Sequence, residues 1–409
     1  MHETYEDCPY YEQMQYSMDT QLQMLFSYQL SPDDRLARKA IHDFHSSLLP
    51  CGLLLSSFPS KFPQVIPGFS LFFIKMLYDH YLYYGDSDII IRYMPTVEAI
   101  LNYFERNLHP VYGMACNLGY WQFVDWVREW DENYGVPPVG ESNILTVYNM
   151  MYVYALRLTA VLCDMAGIKS TGREWKKKAF LISRSIKKYV WCPERKQFRD
   201  SPGLNSFSQH AQIWAVLAEV ITGQMAKELM IRTLKDPTLA QCSYCMTHYM
   251  FRALSKVGLY HLTEYLWKPW FDLLDLHVTT WPEDTVTARS DCHAWGALPL
   301  YEFTAELLGV KPEKPGYEII KVMPNTLSLK SAKGQVATKW GTISVSWHIH
   351  KELFTINIEL PKPISTVIYL PDGQILETNT KKYIKASCLV GAHQNLELFE
   401  NARTMYCKS

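Results

Sequence analysis

The sequence has no excess of charge of either sign. Lysine and arginine together number 40, aspartate and glutamate number 41, and no run of more than three basic residues occurs. Nucleic acids and anionic membrane surfaces are bound through such runs, so we expect neither as a partner.

Long apolar runs and an export signal are also lacking. The most apolar stretch, FSLFFIKMLYDHYLYY (69–84), is too short to span a bilayer and contains Lys75, Asp79 and His80, so it predicts a buried helix. The first residues, MHETYEDCPY, have neither the basic nor the apolar region of a secretory signal. Ten cysteines at irregular spacing do not indicate a disulfide framework. We therefore expect a cytoplasmic protein.

Motifs for nucleotide binding, zinc proteolysis and serine hydrolysis are missing as well. The chain contains no GxGxxG after a strand, no P-loop, no HExxH and no GxSxG. Cys242, Cys245 and His248 would share a helix face, but no further ligand pair lies nearby, so buried thiols are favoured over zinc. The remaining candidates for chemistry are carboxylates.

The pattern that is present from about residue 20 to 308 is helical. Segments 31–49 and 85–108 begin with capping residues and repeat apolar residues at helical spacing, with Pro95 expected to kink or divide the second. Short stretches rich in Gly, Pro and Asn separate about ten such segments, and no strand pattern lies between them.

The period changes to two after the linker GVKPEKPGYE (309–318). TISVSWHIH (342–350) and LFTINIEL (353–360) alternate apolar and polar residues, and PDG (371–373) signals a turn. We predict two domains: a helical domain at 1–308 and a small antiparallel β-sandwich at 309–409.

Three carboxylates lie in the aromatic stretch DCPYYEQMQYSMDT (7–20). We expect Tyr10, Tyr11, Met14 and Tyr16 to form an apolar wall around Glu12. Such a wall would raise the pKa of Glu12 and keep it protonated, as a general acid requires. The alternative is ordinary: Asp7 and Asp19 cap a helix, and Glu12 lies on a solvated face.

Two further stretches combine acids with aromatic residues. In HVTTWPEDTVTARSDCHAWGALPLYEF (277–303), Glu283 is a candidate general base, although the stretch also fits an ordinary polar loop. In GYWQFVDWVREW (119–130), Asp125 lies among tryptophans that could stack on sugar rings. Trp121, Trp126 and Trp130 have helix-like spacing, so core packing explains some of them.

These stretches, with SQHAQIWAVLAEV (208–220), resemble the bacterial α-L-rhamnosidases of glycoside hydrolase family seventy-eight. The resemblance implies a mainly α chain: an (α/α)6 barrel, followed by the β-domain. It implies hydrolysis of terminal α-L-rhamnosides with inversion, on a rhamnose-containing glycoside or polysaccharide, without metal or organic cofactor. It matches Glu12 to the general acid and Glu283 to the general base. It matches the sugar-contacting positions to Asp7, Tyr16, Asp19, Asp125, Trp126 and His293.

The chain departs from the family pattern at two points. Met18 replaces a usual glycine before Asp19 and could crowd the pocket. The motif also begins almost at residue 1, so we expect a truncated barrel that lacks its first helices and associates with itself or with a missing N-terminal part. Two alternatives stay open: an inactive sugar-binding fragment, and a related barrel hydrolase that acts on another sugar.

Overall fold

The computed structural model describes residues 3–285 and 290–390. These residues divide into two compact units. The first comprises the residues up to Ser27, then Asp33–Tyr81 and Gly85–Leu298. The second comprises Tyr28–Pro32, Leu82–Tyr84 and the residues from Pro299 onward.

The first unit is built from α-helices in succession. Within the described residues they are α1 Ser17–Leu30, α2 Arg35–Ser46, α3 Pro67–Tyr84, α4 Ser87–Arg106, α5 Thr146–Met165, α6 Lys169–Val190, α7 Gln209–Leu217, α8 Gly223–Lys235, α9 Tyr244–Lys256 and α10 Lys268–Asp275. Short 3-10 helices cover Arg128–Asn133, Tyr260–Trp267 and Ala294–Gly296. A short hairpin, formed by β1 Trp191–Cys192 and β2 Gln197–Phe198, interrupts the series of helices. Each strand has two residues, which is too short for an alternating pattern to be recognised in the sequence.

The helices alternate between two kinds of surface. The odd-numbered helices α1 to α9 are buried on nearly all sides, whereas α2, α4, α6 and α8 bury one stripe each and face solvent with the other. A helix that is apolar all round must be enclosed by other helices. The sequence therefore alternates inner and outer helices, as the predicted (α/α) barrel requires. No helix in the described part of the chain is both long and apolar enough to cross a membrane.

The inner helices meet through aromatic and amide side chains. The Trp214 ring of α7 lies 4.8 Å from the Tyr249 ring of α9, and both contact Phe72 of α3. The Tyr249 hydroxyl donates to Gln21 Oε1 of α1 at 2.7 Å, and Gln21 Nε2 donates to Asp79 of α3 at 2.8 Å. Burying each large aromatic ring contributes about 2–3 kcal/mol. The hydrogen bonds of the Gln21 side chain satisfy polar groups whose burial among the inner helices would otherwise be costly.

Three local predictions need correction. Helix α2 begins at Arg35, with Asp34 as N-cap, because Asp33 and Asp34 bind Arg35 and Arg38. Pro95 does not divide α4, since the carbonyl that it frees belongs to exposed Ile91 and can bind water. The stretch 119–127 is a loop, because Gly119 and Tyr120 both adopt positive φ.

The second unit contains the predicted strands, which are β3 Val310–Pro312, β4 Ile319–Val322, β5 Ser331–Thr338, β6 Gly341–His350, β7 Leu353–Glu359, β8 Ser365–Tyr369, β9 Ile375–Thr378 and β10 Tyr383–Leu389. One sheet is antiparallel in the order β10-β7-β6-β5, and the other has the order β3-β4-β8-β9 with a parallel β4–β8 pair that the sequence did not reveal. Alternate residues of β6 and β7, such as Val345, Trp347, Ile356 and Ile358, are buried as the period predicts. Residues 391–409 of the predicted β-domain lie outside the described residues.

Candidate active site

Two distant segments meet beside the start of α1. The N-terminal loop is closed on itself, because Asp7 N–H donates to the Met14 carbonyl and Met14 N–H donates to Asp7 Oδ1, both at 2.9 Å. Ala294 N–H then donates to the Asp7 carbonyl at 3.0 Å, which joins the late segment to the early one. Asp19 lies in the first turn of α1, where His293 Nε2 approaches its Oδ1 at 3.1 Å.

A cavity of about 250 Å³ opens where these segments meet. Its polar lining consists of Asp7, Glu12, Asp19, Gln64, Glu283 and His293. Its apolar lining consists of Tyr16, Ile66, Phe69, Trp121, Phe123, Trp126 and Trp295. Seven of the eight residues that the sequence singles out therefore share one cavity. Ligand pockets usually measure about 300–1,000 Å³, so this smaller one suits a single ring better than an extended ligand.

The aromatic wall differs from the predicted one. Tyr10 and Tyr11 are 78% and 52% exposed and contact each other, so they do not enclose Glu12. Tyr16 lines the cavity, and distant segments supply the other rings. The sequence stretch 7–20 could not reveal those rings, because they approach only when the helices close into a ring.

Phe69 is the clearest residue that sequence reasoning missed. It lies at the start of α3, and its ring is 5.9 Å from that of Phe123. A Cβ at Gly68 would lie 2.6 Å from the Tyr148 ring, so glycine allows the start of α3 to approach α5 closely. The Pro-Gly pair before Phe69 was the available signal.

The carboxylate of Asp125 does not line the cavity. It is fully buried and accepts hydrogen bonds from His210 Nε2 at 2.7 Å and from Ser243 N–H at 2.9 Å. The Ser243 hydroxyl and the Cys245 thiol also donate to it. These bonds anchor the loop that carries Trp121 and Trp126. The geometry gives Asp125 a supporting place behind the cavity, instead of the predicted sugar contact.

The loop around Glu283 is held by its backbone. Glu283 N–H donates to the Ser290 carbonyl at 2.8 Å, and the Trp295 indole donates to the Glu283 carbonyl at 2.7 Å. The Trp295 ring lies 4.5 Å from that of His293. Glu283 therefore reaches the cavity from a loop that backbone hydrogen bonds hold in place. Residues 286–289 of the same stretch lie outside the described residues.

Burial controls the protonation of the acids. Burial and the nearby Asp19 raise the pKa of Asp7 to about 9, so Asp7 keeps its proton at neutral pH. Burial also raises the pKa of Asp19, against the lowering effect of His293. For His293, burial is outweighed by the hydrogen bond to Asp19 and by the neighbouring Cys8 thiol, which raise its pKa to about 10. The cavity thus presents a protonated acid and a buried ion pair, which together donate and accept hydrogen bonds.

Cys8 lies directly beside Glu12. Its thiol donates to Glu12 Oε2 at 3.0 Å, and Glu12 N–H donates to the sulfur at 3.4 Å. Burial opposes ionisation of this thiol, but the neighbouring His293 and the backbone N–H groups of Glu12 and Gln13 together outweigh burial, and the pKa of Cys8 falls to about 7. Asp7, Cys8 and His293 also bring three potential metal-ligand atoms within 4.8 Å of one another.

Met18, which departs from the family pattern, is fully buried and does not line the cavity. Crowding of the pocket by Met18 was therefore a wrong expectation, and Asp19 still reaches the cavity.

A closed series of paired helices that gathers carboxylates in an aromatic cavity is the architecture of a helical-barrel glycosidase. Residues 1–266 match the model of the bacterial α-L-rhamnosidase six-hairpin glycosidase domain. Residues 309–385 match the bacterial α-L-rhamnosidase C-terminal domain. The chain belongs to this α-L-rhamnosidase family, which confirms the family and fold that the sequence predicts. No curated protein sequence matches the chain.

Solved structures of similar fold are much longer than this chain. The GH78 family rhamnosidase of Bacillus sp. GL1 is 25% identical over 90% of this chain and 40% of its own length, with a TM-score of 0.82. The α-L-rhamnosidase of Dictyoglomus thermophilum is 16% identical over 95% of this chain and 47% of its own, with a TM-score of 0.78. That of Streptomyces avermitilis, in complex with L-rhamnose, is 16% identical over 94% and 39%, with a TM-score of 0.75. The chain thus spans less than half the length of each.

Proposed function

We propose that this chain hydrolyses terminal α-L-rhamnosides with inversion at the anomeric carbon. Glu12 acts as general acid and Glu283 as general base. The observation that carries this proposal is that two glutamates 271 positions apart in sequence line one small cavity. Family membership and the L-rhamnose bound to the Streptomyces avermitilis relative support rhamnose as the glycone.

The two glutamates have different roles in the reaction. Inverting glycosidases place two carboxyl groups on opposite faces of the sugar, roughly 6.5–9.5 Å apart, so that one water fits between. Glu12 protonates the leaving oxygen while Glu283 takes a proton from the attacking water. The cavity closes around one ring, which fits the removal of a terminal sugar.

The remaining lining residues bind the sugar. Asp7 donates a hydrogen bond to a hydroxyl, while Asp19 and His293 accept from and donate to its neighbours. Tyr16 and Trp126 offer ring faces to the C–H face of the sugar. Asp125 acts indirectly, by fixing the loop of Trp126. No step in this scheme uses a metal or an organic cofactor.

The proposal includes the organisation of the chain. Residues 1–308 form the catalytic domain, and residues 309–409 form a supporting β-sandwich. A reducing, cytoplasmic location is supported by the cysteines of the described residues, which are free thiols.

The test is hydrolysis of a nitrophenyl α-L-rhamnoside by the wild type and by three matched variants. Loss of general acid or base catalysis costs about 10²–10⁴-fold in rate. Glu283→Gln should lose activity in that range, whereas Glu132→Gln, at an exposed glutamate outside the cavity, should retain it. Absence of turnover by folded wild-type protein that still binds rhamnose would leave a sugar-binding fragment, and preference for another nitrophenyl glycoside would change the glycone.

The leaving group separates the roles of the two glutamates. A nitrophenolate leaves without much help from a proton, so Glu12→Gln should be impaired less on the nitrophenyl substrate than on an alkyl rhamnoside. Glu283→Gln should be impaired equally on both. Proton NMR of the first product reports the anomeric configuration, and a retained configuration would contradict the inverting scheme.

A further inference from the structure

A second cavity adjoins the candidate active site. It measures about 590 Å³ and shares two lining residues, Asp7 and His293, with the sugar-sized cavity. Cys8 and the exposed Cys292 line it as well. The two cavities are therefore separated by a thin layer of side chains that are chemically reactive. A small ion can reach this layer without passing through the sugar-sized cavity.

The layer contains three groups that bind metals. A carboxylate oxygen of Asp7, the sulfur of Cys8 and a ring nitrogen of His293 lie within 4.8 Å of one another, and all three residues are buried. Two atoms of this group, Asp7 Oδ2 and His293 Nδ1, are buried without a hydrogen-bond partner in the described part of the chain. Buried polar atoms without a partner are rare, and a bound ion is one established reason for them.

The donor set selects the kind of ion. Thiolate and imidazole with one carboxylate suit Zn²⁺ or Co²⁺, whereas Mg²⁺ and Ca²⁺ prefer oxygen alone. Bonds of roughly 2.0–2.3 Å place tetrahedral ligands about 3.3–3.8 Å apart. The three groups therefore need to close by about 1 Å. Glu12 Oε2, which lies 3.0 Å from the Cys8 sulfur, is near enough to become the fourth ligand.

We propose that Asp7, Cys8 and His293 form a site for a divalent transition metal ion such as Zn²⁺, and that the bound ion inhibits the enzyme. The inhibitory effect rests on the proposed function, because the same Asp7 and His293 line the sugar cavity and Glu12 is the proposed acid. The ion displaces the protons of the Asp7 carboxyl group, the Cys8 thiol and the His293 imidazolium as it binds, so binding releases protons to solvent. The bound ion then keeps Asp7, His293 and Glu12 from contacting the sugar.

Cobalt spectroscopy tests the site without any use of activity. Co²⁺ titrated into the purified protein should produce a near-ultraviolet thiolate charge-transfer band that saturates at one Co²⁺ per chain. The strong visible bands of a tetrahedral Co²⁺ ion should appear with it. Zn²⁺ should displace it and Mg²⁺ should not. Cys8→Ser should abolish the band. Cys292→Ser is the matched control, because this cysteine lines the same cavity outside the cluster, and it should keep the band.

A second variant protects the test against misfolding. Should Cys8→Ser fail to fold by circular dichroism, His293→Gln keeps the thiol and should weaken Co²⁺ binding more than tenfold. A band of unchanged intensity and affinity in Cys8→Ser or in His293→Gln would overturn the site. Loss of the band in Cys292→Ser would also overturn it, because the thiolate would then come from outside the cluster.

Inhibition is measured separately. In the wild type, Zn²⁺ should compete with the nitrophenyl rhamnoside and EDTA should restore the rate, whereas Mg²⁺ should have no effect. A cobalt band in protein that hydrolyses no rhamnoside would support the site and refute the proposed function. Hydrolysis that is insensitive to Zn²⁺, with no cobalt band, would refute the site and leave the function standing.

Discussion

Two clusters in the helical unit pair a buried aspartate with a buried histidine, but only one of them opens into a cavity. In the open cluster, Asp19 Oδ1 lies 3.1 Å from His293, and both residues line the sugar-sized space. In the closed cluster, Asp125 Oδ2 lies 2.7 Å from His210, and neither residue lines that space. Residue type alone therefore does not separate a binding residue from a supporting one.

The difference lies in how the carboxylates are satisfied. Backbone, hydroxyl and imidazole donors surround Asp125, so its charge is neutralised by the protein itself. The open cluster contains Asp7 Oδ2, which has no hydrogen-bond partner in the described residues. A carboxylate fully occupied by protein donors holds structure, whereas one with spare capacity can bind a ligand.

The closed cluster also supports the open one. The Trp130 ring contacts the His210 ring at a tilt, with centroids 4.6 Å apart, and the hydrogen bonds of Asp125 fix the loop between residues 119 and 127. Trp126 follows Asp125 directly and lines the cavity. One cluster thus positions an aromatic wall for the other, which leads to distinct predictions for variants of each.

Asp19→Asn is expected to show the largest effect, with a strong loss of activity and little change in stability. The asparagine can still accept from His293, but it loses the charge that strengthens sugar hydrogen bonds by about 1.5–3 kcal/mol each. Two such bonds amount to about 3–6 kcal/mol, so kcat/KM for a nitrophenyl rhamnoside should fall roughly 10²- to 10⁴-fold. The unfolding midpoint should change little, because burial lowers the pKa of His293 once the charge of Asp19 is gone, so the histidine can release its proton and no unpaired buried charge remains.

The exposed Asp131→Asn is the matched control for this prediction, because the same chemical change outside the cavity should alter neither quantity. Comparable losses of stability and activity in Asp19→Asn would instead indicate that Asp19 is a structural residue.

Asp125→Asn is expected to lower stability more than activity. The amide nitrogen would face the Ser243 N–H or the His210 ring, where an acceptor is needed. Breaking a buried charged network on one side should lower the free energy of unfolding by about 2–3 kcal/mol, measured by urea denaturation. KM should rise moderately with little change in kcat. A large loss of kcat at unchanged stability would place Asp125 in contact with the substrate after all.

Much of the fold could be predicted because its signals are local. Alternation along β6 and β7 identified the buried faces, and capping residues with apolar spacing located most helices. The start of α2 and the continuity of α4 through Pro95 depended on side-chain pairs and solvent access that spacing does not encode. The parallel β4–β8 pair joins strands that are far apart in sequence, so no local pattern predicts it.

The candidate site was predictable to a different extent. The acids near Asp7 and Glu283 stood out by composition, but their assembly into one cavity followed only from the resemblance. Phe69 and the partner of Asp125, His210, were not predictable, because they approach through closure of the helices. Tyr10 and Tyr11 were misplaced, since a loop has no fixed period from which direction can be inferred. The catalytic roles of Glu12 and Glu283 stay predictions.

A smaller effect is expected for the aromatic wall itself. Trp126→Ala removes a ring that binds ground state and transition state alike, so KM should rise about tenfold while kcat stays nearly constant. The matched control is Tyr120→Ala, which removes an exposed aromatic ring of the same loop outside the cavity. A fall in kcat at constant KM would show that Trp126 acts in the transition state, contrary to a wall that only binds.

The smallest effect concerns a buried histidine that belongs to neither cluster. Burial lowers the pKa of His80 in α3 to about 4, against the attraction of Asp34 and Asp86 and with the repulsion of Arg38. The unfolded chain, with a histidine pKa near 6.5, binds more protons between those values, so stability is present above pH 6.5 and is lost as the pH falls. Between pH 7.5 and 6 the loss of unfolding free energy from this residue should be about 1 kcal/mol.

Urea unfolding measured across this pH range tests the prediction. The unfolding free energy of His80→Gln should decline less steeply with falling pH than that of the wild type, while the exposed His348→Gln should follow the wild type. Identical slopes for His80→Gln and the wild type would mean that the pKa of His80 is the same in the folded and the unfolded protein.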